Sequence, residues 1–248
     1  MKREAKIIKM LFSLLTLFAF VAPICLAKTN DLLLTTWCGP PFSNSEKTGY
    51  LDLILQEASE RMNLKINIER RPAERSLKDA NQGKTDGDFL RVVQIGALYP
   101  NLLMVPESLY RMEFVAFATK DDVKIDNSWK SLEPYSVGIV RGWKILEKNV
   151  IFHKSRRSLS KQEHLFLMLD RGRLDVAVYS KHFGFEVISR LGLKGIKALD
   201  PPLVVKQMYL FLHKKHEAII PKLSNIFKSM KEEGRFEKIK EKTLLRNQ

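Results

Sequence analysis

The chain is poor in cysteine, with two among 248 residues, Cys25 and Cys38. Cys25 lies in an amino-terminal segment, residues 1–27, that carries Lys2, Arg3, Lys6 and Lys9, then an apolar core over 10–21, then Pro23 and a stretch ending at Ala27. This is the pattern of a secretory signal peptide, expected to be cleaved after Ala27. Ile24 stands where lipid attachment to Cys25 favours a small residue, so no lipid anchor is expected. With Cys25 removed, Cys38 has no partner for an internal disulfide. Stability must then come from a buried core, which a chain of this length can build. Beyond the leader no stretch approaches the roughly 20 apolar residues of a membrane-spanning helix, so the mature protein is expected to be exported, periplasmic and soluble.

Histidine is also sparse, five in all and scattered singly, with no Cys/His spacing of a metal site. Neither metal nor cofactor is expected. Acidic residues are in the minority, 28 against 42 Lys and Arg, for a formal charge of +14. The basic clusters Arg70-Arg71, 154–157 and Lys214-Lys215 lie on separate elements without interleaved aromatic platforms, which speaks against nucleic acid as a partner. A solvated basic surface facing anionic headgroups or an acidic membrane protein fits the excess better.

What is present is a repeated device. LFLMLDRGRLDVAVYS at 165–180 and LKDANQGKTDGDF at 77–89 each run a helical apolar stripe into Gly, a basic residue, one spacer and Asp. Gly172 and Gly83 sit where a helix needs a left-handed stop, and Asp175 and Asp86 open a short buried strand. Two such half-units about ninety residues apart predict two α/β lobes of similar plan. The surrounding pattern agrees. Strands are predicted at 32–37, 65–70, 86–89, 102–105 and 113–119, with helices at 50–62 and 73–82; after a polar boundary at 120–128 the alternation restarts and runs to 191. KQMYLFLHK at 206–214 echoes EFVAFATK at 113–120, as if the chain crossed between lobes twice, with hinges near 116–120 and 209–213. The tail, 218–245, reads as an amphipathic helix broken near Gly234. The expected division is lobe 1 over 28–117, completed by 211–248, and lobe 2 over 118–210.

The order Pro40-Pro41-Phe42, Gly49-x-x-Asp52, Arg75, Gly83-x-x-Asp86, Pro106-x-Ser108, Ser131-Leu132, Val137-Gly138-x-x-x-Gly142, Met168-Leu169-x-x-Gly172-Arg173-x-Asp175 and Met230-x-x-x-Gly234 resembles the periplasmic solute-binding proteins of the amino-acid ABC-transporter type, family 3. The resemblance covers nearly the whole mature chain. It implies a type II periplasmic-binding fold, two mainly parallel sheets flanked by helices and joined by two hinge strands, that closes on a small polar solute. It further implies a monomer that delivers the solute to an ABC-transporter permease or a membrane receptor. The chain departs from the family's amino-acid recognition pattern at two points: Arg91 comes early and lacks an upstream hydroxyl, and Ser180 stands where an acid often holds an ammonium.

Ligand-binding candidates are the residues at strand ends, where α/β sheets present their ligands: Trp37, Phe42, Arg91, Arg141, Trp143, Tyr179 and Ser180, with Arg75 reaching in from a helix start. The arginines offer planar forks for carboxylate or phosphate, so the solute is expected to be anionic or zwitterionic and amino-acid-like, gripped by Arg91 and Arg141 from opposite lobes. The alternatives are an enzyme of the cyclohexadienyl dehydratase kind on the same scaffold, or a ligand-sensing subunit. For an enzyme, Glu46, Asp88 and His182 are the nearest acid or base candidates. None has an evident partner in the sequence, so no catalytic residue is assigned.

Overall fold

The computed structural model describes residues 31–151 and 155–245. The leader lies outside the described residues. The described chain alternates strands and helices: β1 Leu32–Thr36, α1 Tyr50–Met62, β2 Ile66–Arg70, α2 Ala73–Asn81, β3 Gly87–Arg91, α3 Ile95–Leu98, β4 Leu102–Met104 and β5 Tyr110–Ala118. A 3₁₀ turn at Trp129–Leu132 leads into β6 Ser136–Val140, α4 Lys144–Asn149, β7 Ser155–Leu159, α5 Gln162–Asp170, β8 Val176–Ser180, α6 Lys181–Arg190 and β9 Lys197–Ala198. Then come β10 Val204–His213, α7 Ile220–Glu232 and α8 Arg235–Thr243.

The strands form two α/β ladders joined through β10. In the first, β2, β1 and β3 run parallel and β10 closes antiparallel on β3. In the second, β7, β6 and β8 run parallel and β5 lies antiparallel to β8. The amino-terminal half of β10 pairs with β5, Val204 opposite Phe114, while its other half pairs with β3 and β4. The fold is thus the expected two-lobed α/β arrangement, each lobe a mainly parallel sheet flanked by helices.

The two copies of the G-[KR]-x-D device do the same job. Gly83 (φ +71°) and Gly172 (φ +64°) take the left-handed turn that ends α2 and α5. Asp86 then brackets β1: its N–H donates to the Leu33 carbonyl at 2.8 Å, and its Oδ2 accepts from the Leu33 N–H at 2.8 Å. Asp175 brackets β6 in the same way, through the Ser136 carbonyl at 3.0 Å and the Ser136 N–H at 3.0 Å. Each aspartate therefore fixes where one strand begins against its neighbour. Asp86 also meets Lys215 and His216, both at 2.7 Å, which ties the segment after β10 to the first sheet. Burial pushes the Asp86 carboxyl up, but the Leu33 N–H, Lys215 and His216 outweigh it and hold the group below its ordinary range. A depressed carboxyl stabilises the fold above the ordinary carboxylate range and loses that contribution as pH falls through it. Asp86→Ala is expected to lower the urea-derived unfolding free energy by about 2 kcal/mol at pH 7, and by less in acid.

Gly49-x-x-Asp52 is structural in the same sense. Asp52 accepts from the Ser43 hydroxyl at 2.7 Å and from the N–H groups of Asn44 and Gly49 at 2.9 and 3.1 Å. It caps α1 and pins the loop that carries Phe42.

The first crossing between the sheets differs from the expected hinge at 116–120. Phe114–Phe117 are paired with β8 and Phe117–Ala118 with β9, so that segment lies inside a ladder. The chain crosses instead over residues 105–109, where the Val105 N–H donates to Leu210 and the Leu109 N–H to Met208. The strand β7, SRRSL, appears where no strand is expected, because an exposed edge lacks the apolar alternation that marks a buried one.

Candidate functional site

Between the two ladders lies a cavity of ≈ 860 Å³, floored by Met112 and Phe114 of β5 and by Val204, Lys206 and Met208 of β10. Three strand ends reach it. Trp37 follows β1, Arg91 ends β3, and Arg141-Gly142-Trp143 follow β6, so of the predicted site residues Trp37, Arg91, Arg141 and Trp143 are brought together there. Trp37 and Trp143 come from opposite sides of the cavity and stand edge to face, with centroids 5.3 Å apart and planes at 88°.

Arg91 is held rather than loose. Its Nε donates to Asp88 Oδ1 and its Nη2 to the Ala73 carbonyl at 3.0 Å and to Asp88 Oδ2 at 3.3 Å. Asp88 is fully buried and also accepts from the hydroxyls of Ser76 and Thr35. Burial pushes its carboxyl up, against the lowering influence of Arg91 and the two hydroxyls. Leu90, between them in sequence, takes φ +62°, a left-handed backbone that disfavours a bulky side chain by about 1–2 kcal/mol. That turn coincides with a register shift opposite, between Tyr209 and Leu210. The Leu90 carbonyl accepts from Trp37 Nε1 at 3.4 Å, so the distorted strand end also steadies the ring.

The other predicted residues lie elsewhere. Phe42 is fully buried against Tyr110 and Phe183, both at 4.7 Å between centroids, because the capped Asp52 loop turns it inward. Arg75 points outward, its side chain 76 % exposed, and meets Asp79 at 3.5 Å. Tyr179 sits behind Trp143, 5.1 Å between centroids, and donates to Gln162 at 2.6 Å; burial pushes its phenol up. Ser180 is buried, and its hydroxyl has no hydrogen-bond partner among the described residues. Nor does the short helix after Arg141 offer a free N–H to an anion at Gly142, since Glu147 Oε1 accepts that N–H at 2.8 Å. Sequence reasoning missed Trp129, Lys144, Lys148 and Lys206. The 3₁₀ turn that carries Trp129 and the inward register of Lys206 leave no periodic signal.

The acid and base candidates stand apart from the cavity. Glu46 is exposed and bonded to Ser45, and Asp88 lies beneath Arg91. His182 lines a separate hollow of ≈ 390 Å³ with Tyr50, Tyr110, Lys181 and Lys240. Its Nδ1 is 2.5 Å from the Tyr110 hydroxyl, while Nε2 is buried without a partner among the described residues. Burial, with help from Lys240 and Lys181, pushes His182 down to about 4. A histidine whose folded pKa is depressed loses stability as pH falls from its ordinary value toward the folded one, because only the unfolded chain takes up the proton. His182→Gln is therefore expected to flatten the stability loss between about pH 6.5 and 4, by at most about 3 kcal/mol in denaturant titrations. Cys38 is equally inert. It is buried, accepts from the Thr36 hydroxyl at 3.1 Å, and burial pushes its thiol up to about 12.

Among the described residues no helix is long and apolar enough to cross a membrane. No family model matches the chain. A protein of Shewanella oneidensis described only as uncharacterized is 25% identical over 201 residues, covering 77% of this chain and 75% of its own length. Solved structures match over most of the chain. The GluR0 ligand-binding core in complex with L-glutamate has a TM-score of 0.72 at 10% identity, covering 86% of this chain and 98% of its own. A histidine kinase sensor domain with similarity to periplasmic binding proteins has 0.67 at 14%, covering 88% and 97%. The substrate binding protein of an amino acid ABC transporter has 0.64 at 16%, covering 87% and 100%. At these identities the likeness is one of fold: a periplasmic-binding-protein-like domain.

Proposed function

We propose that the protein is an exported solute-binding protein that captures a small anionic or zwitterionic molecule in the cavity and delivers it to an ABC importer in the membrane. The observation that carries the reading is the cavity itself, set between two α/β ladders at their strand ends and furnished by Trp37 and Arg91 from one and Arg141 and Trp143 from the other. A solute that touches both ladders draws them together about the connections at 105–109 and 208–210, and the closed form is what a membrane partner reads. On this reading lobe 1 is 31–109 with 209–245, and lobe 2 lies between. No carboxylate or histidine faces the cavity among the described residues, which favours binding over acid–base chemistry. The signal peptide read in 1–27 would place this function in the periplasm, and the chain would act as a monomer.

The test is thermal shift of the mature protein against a metabolite library. A ligand at a hundred times its Kd adds about 2.7 kcal/mol to the folded state. For a chain of this size the midpoint should rise by roughly 5–10 °C. No shift from any organic acid, amino acid, amine or sugar would remove the proposal.

A further inference from the structure

We infer that the solute is an organic anion with a flat apolar body and no ammonium group, an aryl carboxylate, and not an α-amino acid; this rests on the solute-binding reading above. The first observation is where the tryptophans are. The chain has three, and Trp37, Trp129 and Trp143 all line this one cavity. Around them Leu90, Ile95, Ile145 and the β5 and β10 floor supply apolar wall, so most of what a ligand would touch is ring or aliphatic carbon. At ≈ 860 Å³ the space between the ladders has room for a ring with a side arm.

The second observation is the sign of the charge. Arg91, Arg141, Lys144, Lys148 and Lys206 line the cavity, and no aspartate or glutamate does among the described residues. Arg91 and Lys144 already have partners, Asp88 and Glu147. Arg141, Lys148 and the half-buried Lys206 have no ion pair among the described residues. The carboxylates beside the lining residues in sequence are all engaged: Asp88 by Arg91, Ser76 and Thr35, Glu147 by the Gly142 N–H and Lys144, and Glu113 by Arg111 and Lys181. A carboxylate entering here meets several unpaired cations. An α-ammonium on the same molecule meets like charge and no carboxylate among the described lining residues, only the neutral amides of Gln94 and Asn149 and the ring faces, an imbalance that works as selection against amino acids. Ser180, buried and away from the cavity, adds no acceptor there.

The experiment uses ligands matched in skeleton. 3-Phenylpropionate, L-phenylalanine and phenethylamine share one ring and arm and differ only in the charged groups; indole-3-propionate, L-tryptophan and tryptamine repeat the comparison. Calorimetry on the mature protein gives affinities. Because every tryptophan of the chain lines the cavity, intrinsic emission with the phenyl series shows whether binding occurs there. The aryl carboxylates should bind and shift the emission, the amino acids should be at least about a hundredfold weaker, and the amines should not bind. Lys206→Glu should narrow the gap between acid and amino acid by tenfold or more. An amino acid binding within tenfold of its matched acid overturns the inference and leaves solute binding standing. So does failure of both acids while some amino acid or amine in the library binds. Silence of the whole library overturns the inference and the solute-binding reading together.

Discussion

Arg91→Ala is expected to destabilise the solute-free protein by about 3–5 kcal/mol, the loss that follows when one partner of a buried ion pair is removed. Arg91 is 8% exposed and Asp88 not at all, so the truncation leaves a carboxyl in the core with two hydroxyls for company. An arginine that only reached into the cavity to grip a solute would be removable without touching the fold. The difference is the φ of Leu90, which folds Arg91 back onto the residue three before it. Acid should discriminate the causes. Burial already raises the Asp88 carboxyl, and removing the guanidinium raises it further, so the variant keeps a proton that the unfolded chain releases as pH rises. The stability gap between parent and variant should therefore narrow as pH falls through the carboxylate range. A gap constant down to pH 3 would show that the loss is packing and not charge. The double variant Asp88→Leu, Arg91→Met should recover most of the stability, since two apolar side chains need no partners, yet bind anions no better than Arg91→Ala. Recovery of binding as well would remove Arg91 from the site.

Much of this fold was legible because its rules are local. A helix that stops on Gly and returns as a strand behind Asp is written in four residues, and both copies do what their composition demands, down to the bracket on the neighbouring strand. The tail helices and the break at Gly234, φ +70°, follow from the same logic. Less legible were features set by register between distant segments. That β5 pairs with β10 before it pairs with β8, moving the crossing to 105–109, depends on strand alignment that no periodicity records. Trp37, Arg91, Arg141 and Trp143 meet at the cavity because each lies at a strand end or within three residues of one, a place that alternation marks in the sequence. Lys206 could not be placed in this way, since its side depends on which neighbour β10 takes, and Phe42 was misplaced because the Asp52 cap turns its loop into the core.

That buried loop carries the second large effect. Phe42→Ala is expected to cost about 3–5 kcal/mol in the unfolding free energy, as for a phenylalanine removed from a close-packed core. Phe42 belongs to the segment after β1, whereas Phe183 lies on α6 behind the second sheet, and the two rings meet at 4.7 Å. Trp37 extends the same seam, 5.6 Å from Phe183 and 5.3 Å from Trp143. The seam is thus a contact between the two halves that owes nothing to solute. Its removal should act twice: on global stability, and on how far the halves separate when the cavity is empty. Small-angle scattering of solute-free Phe42→Ala should give a larger radius of gyration than the parent, and saturating solute should restore it at the cost of weaker apparent affinity, because part of the binding energy now closes the halves. Phe166→Ala is the control. Its ring is also fully buried but packs within the second half, on Phe117 at 5.1 Å, so it should lower stability without changing the radius. If both variants expand the protein equally, or neither does, the seam is ordinary core and does not set the opening.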